Sequence, residues 1–342
     1  MRNSRQPKTI EGNYRNWATL AAYRGDARRA CAQLRELRRP PRPAEGIRLF
    51  SAMRNERDLL PLFLDHYRKL GVGRFVIVDN GSSDGSQELL LDQPDVELYH
   101  TAGSYAEANG GSLWVDGLIQ EQAQGEWIVY VDADELLVYD GCEEYRLPAL
   151  AERLTGLGQS RLLAPLIDVY PHPDPPHDLL FDAAPETSRR TPLGIMIEGG
   201  PRSRMAAAVG RTQFPCLTKY PLLRYGARTA FANIHFPEPV GENGDRIRGR
   251  LLHLKLTSRF RDKVAQALHE GQHWHDGAEY KSYADWLDGR ETGDLVTSAS
   301  RRYTGPRDLI EAGLLEPLHW RRSSTSLRIG QAVDRLLRRR RR

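Results

Sequence analysis

The chain is poor in cysteine, with only Cys31, Cys142 and Cys216 in 342 residues, and their spacing matches no zinc-ligand or redox pattern. This scarcity argues against a disulfide framework or a thiolate metal site and suits a reducing compartment. No apolar run approaches the roughly 20 residues needed to span a bilayer. The opening MRNSRQPKTIEG lacks the apolar stretch of a secretory signal. A cytoplasmic location is therefore expected. No internal repeat is visible, which argues against solenoid and propeller architectures.

What is present is an ordinary globular composition, 40% hydrophobic and 27% charged, in a chain long enough for one large α/β domain. The net charge of +4 conceals an uneven distribution. Residues 1–43 hold 11 Lys and Arg against 3 Asp and Glu, residues 321–342 hold 9 against 1, and the stretch between them holds 29 against 41. An acidic body between basic arms is a poor nucleic-acid surface, so no nucleic-acid partner is expected.

Residues 16–39 place Leu20, Tyr23, Ala27, Cys31 and Leu34 at helical spacing, predicting a helix ended by Pro40 and Pro41 within a basic helical arm over 1–44. From Ile47 the pattern becomes strand and helix in alternation. IRLFSAM precedes a polar break at Arg54, Asn55 and Glu56 and a helical stretch over 58–70. FVIVD precedes the turn NGSSDG and the short helix SQELLLD, VELYH follows, and a helical segment over 105–123 leads to WIVYVD. This order predicts a mostly parallel sheet with helices on both faces. The domain is expected over 45–290, its first half to residue 140. A C-terminal extension over 291–342 carries a final helix at 324–337. The many prolines between 165 and 192 predict irregular structure around a few strands.

In such sheets ligands bind at the carboxyl ends of the strands, and the polar clusters fall there. The sharpest is VYVDADE, where an apolar strand runs into Asp132, Asp134 and Glu135. Carboxylates two residues apart lie on one side of an extended backbone and can share a ligand. A divalent cation held there would offset the charge of a departing nucleoside diphosphate. Aspartate also favours turns for its own sake, so the cluster alone leaves both explanations open.

Over residues 47–140, Arg-Asn-Glu at 54–56, Asp-Asn-Gly-Ser-Ser-Asp-Gly at 79–85 and Asp-Ala-Asp-Glu at 132–135 resemble, in that order, the family 2 glycosyltransferases. The likeness is to a bacterial branch marked by Arg-Asn-Glu and Asp-x-Asp-Glu. The resemblance implies a GT-A type fold, a nucleotide-sugar donor (UDP-, GDP- or dTDP-linked) and Mn²⁺ or Mg²⁺. It implies that Asp79, Asn80, Asn55 and Glu56 line the base and ribose pocket, that Asp132 approaches the ribose or metal, and that Asp134 ligates the metal, with Glu135 counted in the catalytic motif. Many GT-A enzymes complete the metal site with a later histidine. His253 in LLHLKLTSRFRDK is the best match and His235 its rival.

Arg54 is a candidate for a diphosphate or nucleoside contact, and Arg202, Arg204 and Lys219 for the diphosphate or the acceptor, because a guanidinium or ammonium suits anionic oxygens. Family 2 members commonly place an acceptor-activating base in a Glu-Asp motif that this chain lacks. Glu198 takes that place here, with Asp168 and Glu238 behind it. His269, His273 and His275 cluster in LHEGQHWHDG, but Gly271 weakens the helix a zinc site would need. The terminal RLLRRRRR joins apolar residues to arginines and suits peripheral contact with an anionic membrane at its inner face. The expected activity is metal-dependent transfer of a hexose, with inversion, to a glycan or lipid-linked acceptor. The rivals are a nucleotidyltransferase and a non-catalytic nucleotide-sugar-binding module.

Overall fold

The computed structural model describes residues 17–320 apart from 42–44, 174–177, 232–233, 258 and 271–273. The expected helix at 324–337 and the basic stretch over 321–342 therefore lie outside the described residues, as do residues 1–16 and 42–44 of the N-terminal arm. The first elements are α1 (Trp17–Cys31), β1 (Arg35–Arg38), β2 (Ile47–Met53), α2 (Leu60–Lys69), β3 (Val72–Asp79), α3 (Ser86–Leu91), β4 (Val96–His100), α4 (Ser112–Gln122), β5 (Trp127–Tyr130) and β6 (Glu135–Val138). Then come α5 (Leu147–Gly156), β7 (Arg161–Leu162), β8 (Leu166–Pro171), β9 (Leu179–Asp182), β10 (Thr187–Thr191), β11 (Gly194–Glu198), α6 (Gly200–Ala208) and β12 (Leu222–Arg224). β13 (Arg250–His253), α7 (Phe260–Glu270), α8 (Trp274–Leu287), β14 (Ser300–Tyr303) and α9 (Pro306–Glu311) complete the order.

Seven strands form the main sheet in the order β1-β4-β3-β2-β5-β12-β7. Its centre, β4-β3-β2-β5, is parallel, as the alternation of strand and helix predicts. Its flanks are antiparallel, through β1 on β4 and through β12 on β5 and β7. The sheet is thus mixed rather than mostly parallel. The cause lies in the acidic turn: after β5 the chain makes no helical crossover but passes through Asp132-Ala133-Asp134 directly into β6. β6 belongs to a second sheet, β14-β9-β8-β13-β6, in which only β8 and β13 run parallel. β10 and β11 form a separate antiparallel hairpin.

Along β3, Phe75 and Ile77 enter one core while Val76 and Val78 enter another. This period-two alternation with apolar residues on both sides is what a strand covered on both faces requires. The first core continues into α2, whose Leu60, Phe63, Leu64 and Tyr67 form one buried stripe at helical spacing. The second is closed by α4. α1 packs on α4 so closely that a Cβ on Gly117 would stand 2.4 Å from the Ala27 carbonyl oxygen, and the Ala27 side chain is fully buried. The helix ends at Cys31, short of the prolines. Arg35–Arg38 instead becomes an edge strand, because β4 offers unpaired backbone groups that outweigh the weak strand propensity of RELR.

Candidate active site

The carboxyl ends of β2, β3 and β5 open on the same edge of the main sheet, and the Asp132-Ala133-Asp134 turn joins that edge to the second sheet. The turn is tied at several points. The Tyr67 hydroxyl donates to the Glu135 carbonyl (2.9 Å) and accepts from the Leu137 amide (3.1 Å). Glu135 Oε2 accepts from the Asp132 amide at 3.1 Å. The Leu254 amide donates to the Asp134 carbonyl at 2.8 Å, drawing the end of β13 against the turn.

Lys219, in an extended segment before β12, places its ammonium 2.8 Å from Glu135 Oε1 and 3.1 Å from Asp132 Oδ2. The Lys219 and Glu135 side chains are 3% and 2% exposed, so this is a desolvated ion pair, whereas Asp132 keeps 34% of its surface open. Burial pushes the Glu135 carboxyl up to about 7 against the pull of Lys219, and neighbouring Asp132 and Asp134 add to the rise. Burial works against the Lys219 charge, but the two carboxylates outweigh it and raise its pKa.

His253 ends β13 with Glu135 opposite it on β6 and Asp168 opposite it on β8. Its Nε2 lies 3.4 Å from Asp134 Oδ2, and its Nδ1 donates to Asp168 Oδ1 at 2.7 Å. Burial would raise the Asp134 carboxyl, but attraction to His253, Lys263 and Lys255 prevails and holds it well below the usual carboxylate range. Burial would lower the His253 ring, and Asp134 more than reverses that. His235, the rival, donates from Nδ1 to the Thr218 carbonyl at 2.8 Å, and burial with nearby Lys219 lowers it to about 4, which leaves it neutral.

Among the described residues no three His, Cys, Asp or Glu side chains form a complete metal cage. The chemistry of Asp134 and His253 nonetheless fits a divalent ion. Two ligands each about 2.1 Å from one octahedral ion stand roughly 3 Å apart, close to the 3.4 Å between Oδ2 and Nε2. Mg²⁺-like ions commonly take one or two protein ligands and fill the rest of their shell with phosphate oxygens and water. A carboxylate behind the imidazole, as Asp168 is, belongs to the same pattern.

The other expected residues divide clearly. Asp79 is fully buried and accepts from Gln87 Nε2 (2.8 Å), from the Ser82 amide (3.3 Å) and from His100 Nδ1 (3.3 Å). The Asn80 amide donates to the Thr101 and Gly103 carbonyls. Asn55, at φ 56°, receives the Ser83 amide on Oδ1 at 2.8 Å. These three side chains brace the loops at the strand ends. Glu56 meets Lys263 of α7 through both oxygens at 2.7 and 2.9 Å, and burial pushes its carboxyl up to about 7 despite that partner. Arg54 is exposed on the rim of β2.

Arg202 is buried behind His253, with Nε 2.7 Å from Asp168 Oδ1. Arg204 pairs with Asp182 and donates to the Leu295 carbonyl. Glu198 faces Arg189 across the β10–β11 hairpin at 3.8 Å, and no hydrogen bond or ion pair among the described residues joins it to the Asp134 cluster. Glu238 caps the Val240 amide. His269 is exposed on α7, while His273 and the side chain of His275 lie outside the described residues.

Sequence reasoning missed Lys263 and Glu279. Lys263 sits in the flagged segment LLHLKLTSRFRDK, and a lysine one helical turn into α7 was the available signal. Glu279, on α8, lies 3.3 Å from Arg202 Nη1 and 3.6 Å from Lys255 Nζ, and nothing in WHDGAEYKSY marks it.

No family model matches the chain, and no curated protein does. Among solved structures it is similar to a mannosyltransferase, PcManGT from Pyrobaculum calidifontis, determined in complex with GDP-Man and Mn²⁺. The identity is 19% and the TM-score 0.26, and the match spans 42% of each chain. No helix among the described residues is long and apolar enough to cross a membrane.

Proposed function

We propose that this chain is a GT-A type glycosyltransferase that moves a sugar from a nucleoside-diphosphate donor to a glycan or lipid-linked acceptor with Mn²⁺ or Mg²⁺. The observation that carries the proposal is Asp134 Oδ2 facing His253 Nε2 at 3.4 Å, on a turn fastened to the carboxyl edge of a parallel sheet core. Asp134 and His253 are the assigned metal ligands. When bound, the ion offsets the negative charge gathered by the departing diphosphate. Asp132 keeps one face open beside its lysine and is assigned to the donor ribose or to the metal. Glu135 and Lys219 fix the turn through their desolvated pair, so that Asp132 and Asp134 need not reorganise as charge develops. Arg54 and Glu56 border the donor from the β2 side, and the loop braced by Asn55, Asp79 and Asn80 shapes the nucleoside pocket. Glu198 is assigned as the base of an inverting transfer.

The test is incubation with UDP-, GDP- and dTDP-sugars, with and without Mn²⁺, followed by product analysis. Metal-dependent release of nucleoside diphosphate and a glycosylated or hydrolysed sugar are expected. Consumption of added pyrophosphate, with nucleoside triphosphate and sugar 1-phosphate as products, would favour a nucleotidyltransferase. Tight binding without turnover for any donor would favour a binding module.

A further inference from the structure

The charges around Asp134 do not stop at His253. Asp168 Oδ1 accepts from His253 Nδ1 and from Arg202 Nε, each at 2.7 Å. Arg202 Nη1 in turn lies 3.3 Å from Glu279 Oε1. Asp168 is 2% exposed and Arg202 4%, so the middle of this row is shut away from bulk water. Arg202 reaches Asp168 because Gly199 and Gly200, at φ 154° and 71°, turn the chain sharply from β11 into α6. On that path the Arg202 guanidinium reaches Asp168 on the Nδ1 side of His253, opposite the Nε2 that faces Asp134.

An imidazole ring has one proton to place when neutral. A carboxylate at Nδ1 holds the proton there and leaves the Nε2 lone pair facing outward, which is the tautomer a metal requires. The carboxylate must stay ionised and fixed to do this in a buried strand, and an adjacent guanidinium ensures both.

We infer that Asp168 and Arg202 are positioning residues for the metal site: Asp168 sets the tautomer and tilt of His253, and Arg202 anchors Asp168. The inference rests on the metal-dependent reading above and assigns Arg202 a place behind the ligands rather than on the diphosphate. A purely architectural pair would hold α6 against β8 and leave His253 indifferent to its loss.

The experiment is titration of the full chain with Mn²⁺ plus UDP or GDP, followed by electron paramagnetic resonance, together with nitrogen-15 NMR of the histidine rings. The wild-type His253 proton is expected on Nδ1. Asp168→Asn is expected to lower Mn²⁺ affinity by about 10- to 100-fold and to shift the His253 ring signals, and Asp168→Glu to recover part of the loss. Arg202→Lys should fall between. Where Asp168→Asn alone does not fold, the double variant Asp168→Asn with Arg202→Met removes the stranded guanidinium and serves the same comparison. Mn²⁺ uptake lost in Asp134→Asn but unchanged in Asp168→Asn would overturn this inference alone. A wild-type chain that takes up no Mn²⁺ with either nucleotide would overturn the metal reading and this inference with it.

Discussion

Replacing Lys219 with methionine separates a structural ammonium from a phosphate-binding one. The side chain is 3% exposed and meets Glu135, 2% exposed, at 2.8 Å. Methionine fills nearly the same volume, so the loss is electrostatic: Glu135 is stranded among Asp132 and Asp134 without its cation. Removing one partner of a buried pair costs about 3–5 kcal/mol, and the partly open Asp132 adds little because water screens it. The pH dependence has a definite sign. Burial already raises the folded Glu135 carboxyl to about 7 from an unfolded value of 4.5, and losing Lys219 raises it further. A raised carboxyl contributes stability below its unfolded pKa and loses it as pH climbs through the folded one. Urea unfolding of Lys219→Met should therefore show its largest deficit near pH 8 and a smaller one near pH 5, where Glu135 takes up a proton. Glu135→Gln combined with Lys219→Met should restore much of the loss, since neither charge remains. A deficit below about 1 kcal/mol, within the range of an exposed pair, with no trend across that pH range, would refute the buried-pair account.

Asp134→Ala is expected to abolish the Mn²⁺-dependent part of nucleotide binding while leaving the circular dichroism spectrum unchanged, and calorimetric titration with and without Mn²⁺ reads this directly. Gly117→Ala should weaken the seating of α1, because its new methyl would meet the Ala27 carbonyl and Cys31 Cβ at 2.4 Å. Overpacking of this kind costs about 1–3 kcal/mol, and limited proteolysis should cut α1 faster than in wild type. Glu56→Gln should loosen the tie between β2 and α7, whose partners are 18% and 27% exposed. A cost between about 1 and 3 kcal/mol is expected, seen as faster amide exchange over Phe260–Glu270.

The parallel half of the fold was legible because its signals are local. Val76 and Val78 alternate with Phe75 and Ile77 within one strand, and Leu60, Phe63, Leu64 and Tyr67 mark one helical stripe within ten residues. The second sheet was not, because its pairings are distant and carry no periodic signature. β13 finds β6 across more than a hundred residues, through four residues, RLLH, that would suit a helix or a core strand equally. β1 was hidden for the opposite reason: RELR has no strand pattern, and only the open edge of β4 makes it one.

The same division explains the site. Asp132, Asp134 and Glu135 stood out in the sequence because Asp-Ala-Asp-Glu follows Arg-Asn-Glu and Asp-Asn-Gly in order at strand ends, the carboxylate cluster alone leaving a plain turn open. Their individual tasks did not, since those depend on distant partners: Lys219, 87 residues from Asp132, and for Asp134 a histidine, His253, itself held by Asp168 from 85 residues away. Two carboxylates of the motif are occupied by one lysine, and the third faces a histidine already held from behind. Under the proposed function the motif therefore divides between framework and ligand duties along a line that spacing alone does not draw. Asp132 stands on that line, since its oxygen toward Lys219 is engaged while a third of its side chain stays open. Loading the site with Mn²⁺ and nucleotide should decide its share: Asp132→Asn should weaken nucleotide binding even without metal if the residue serves the ribose, and only with metal if it serves as a ligand.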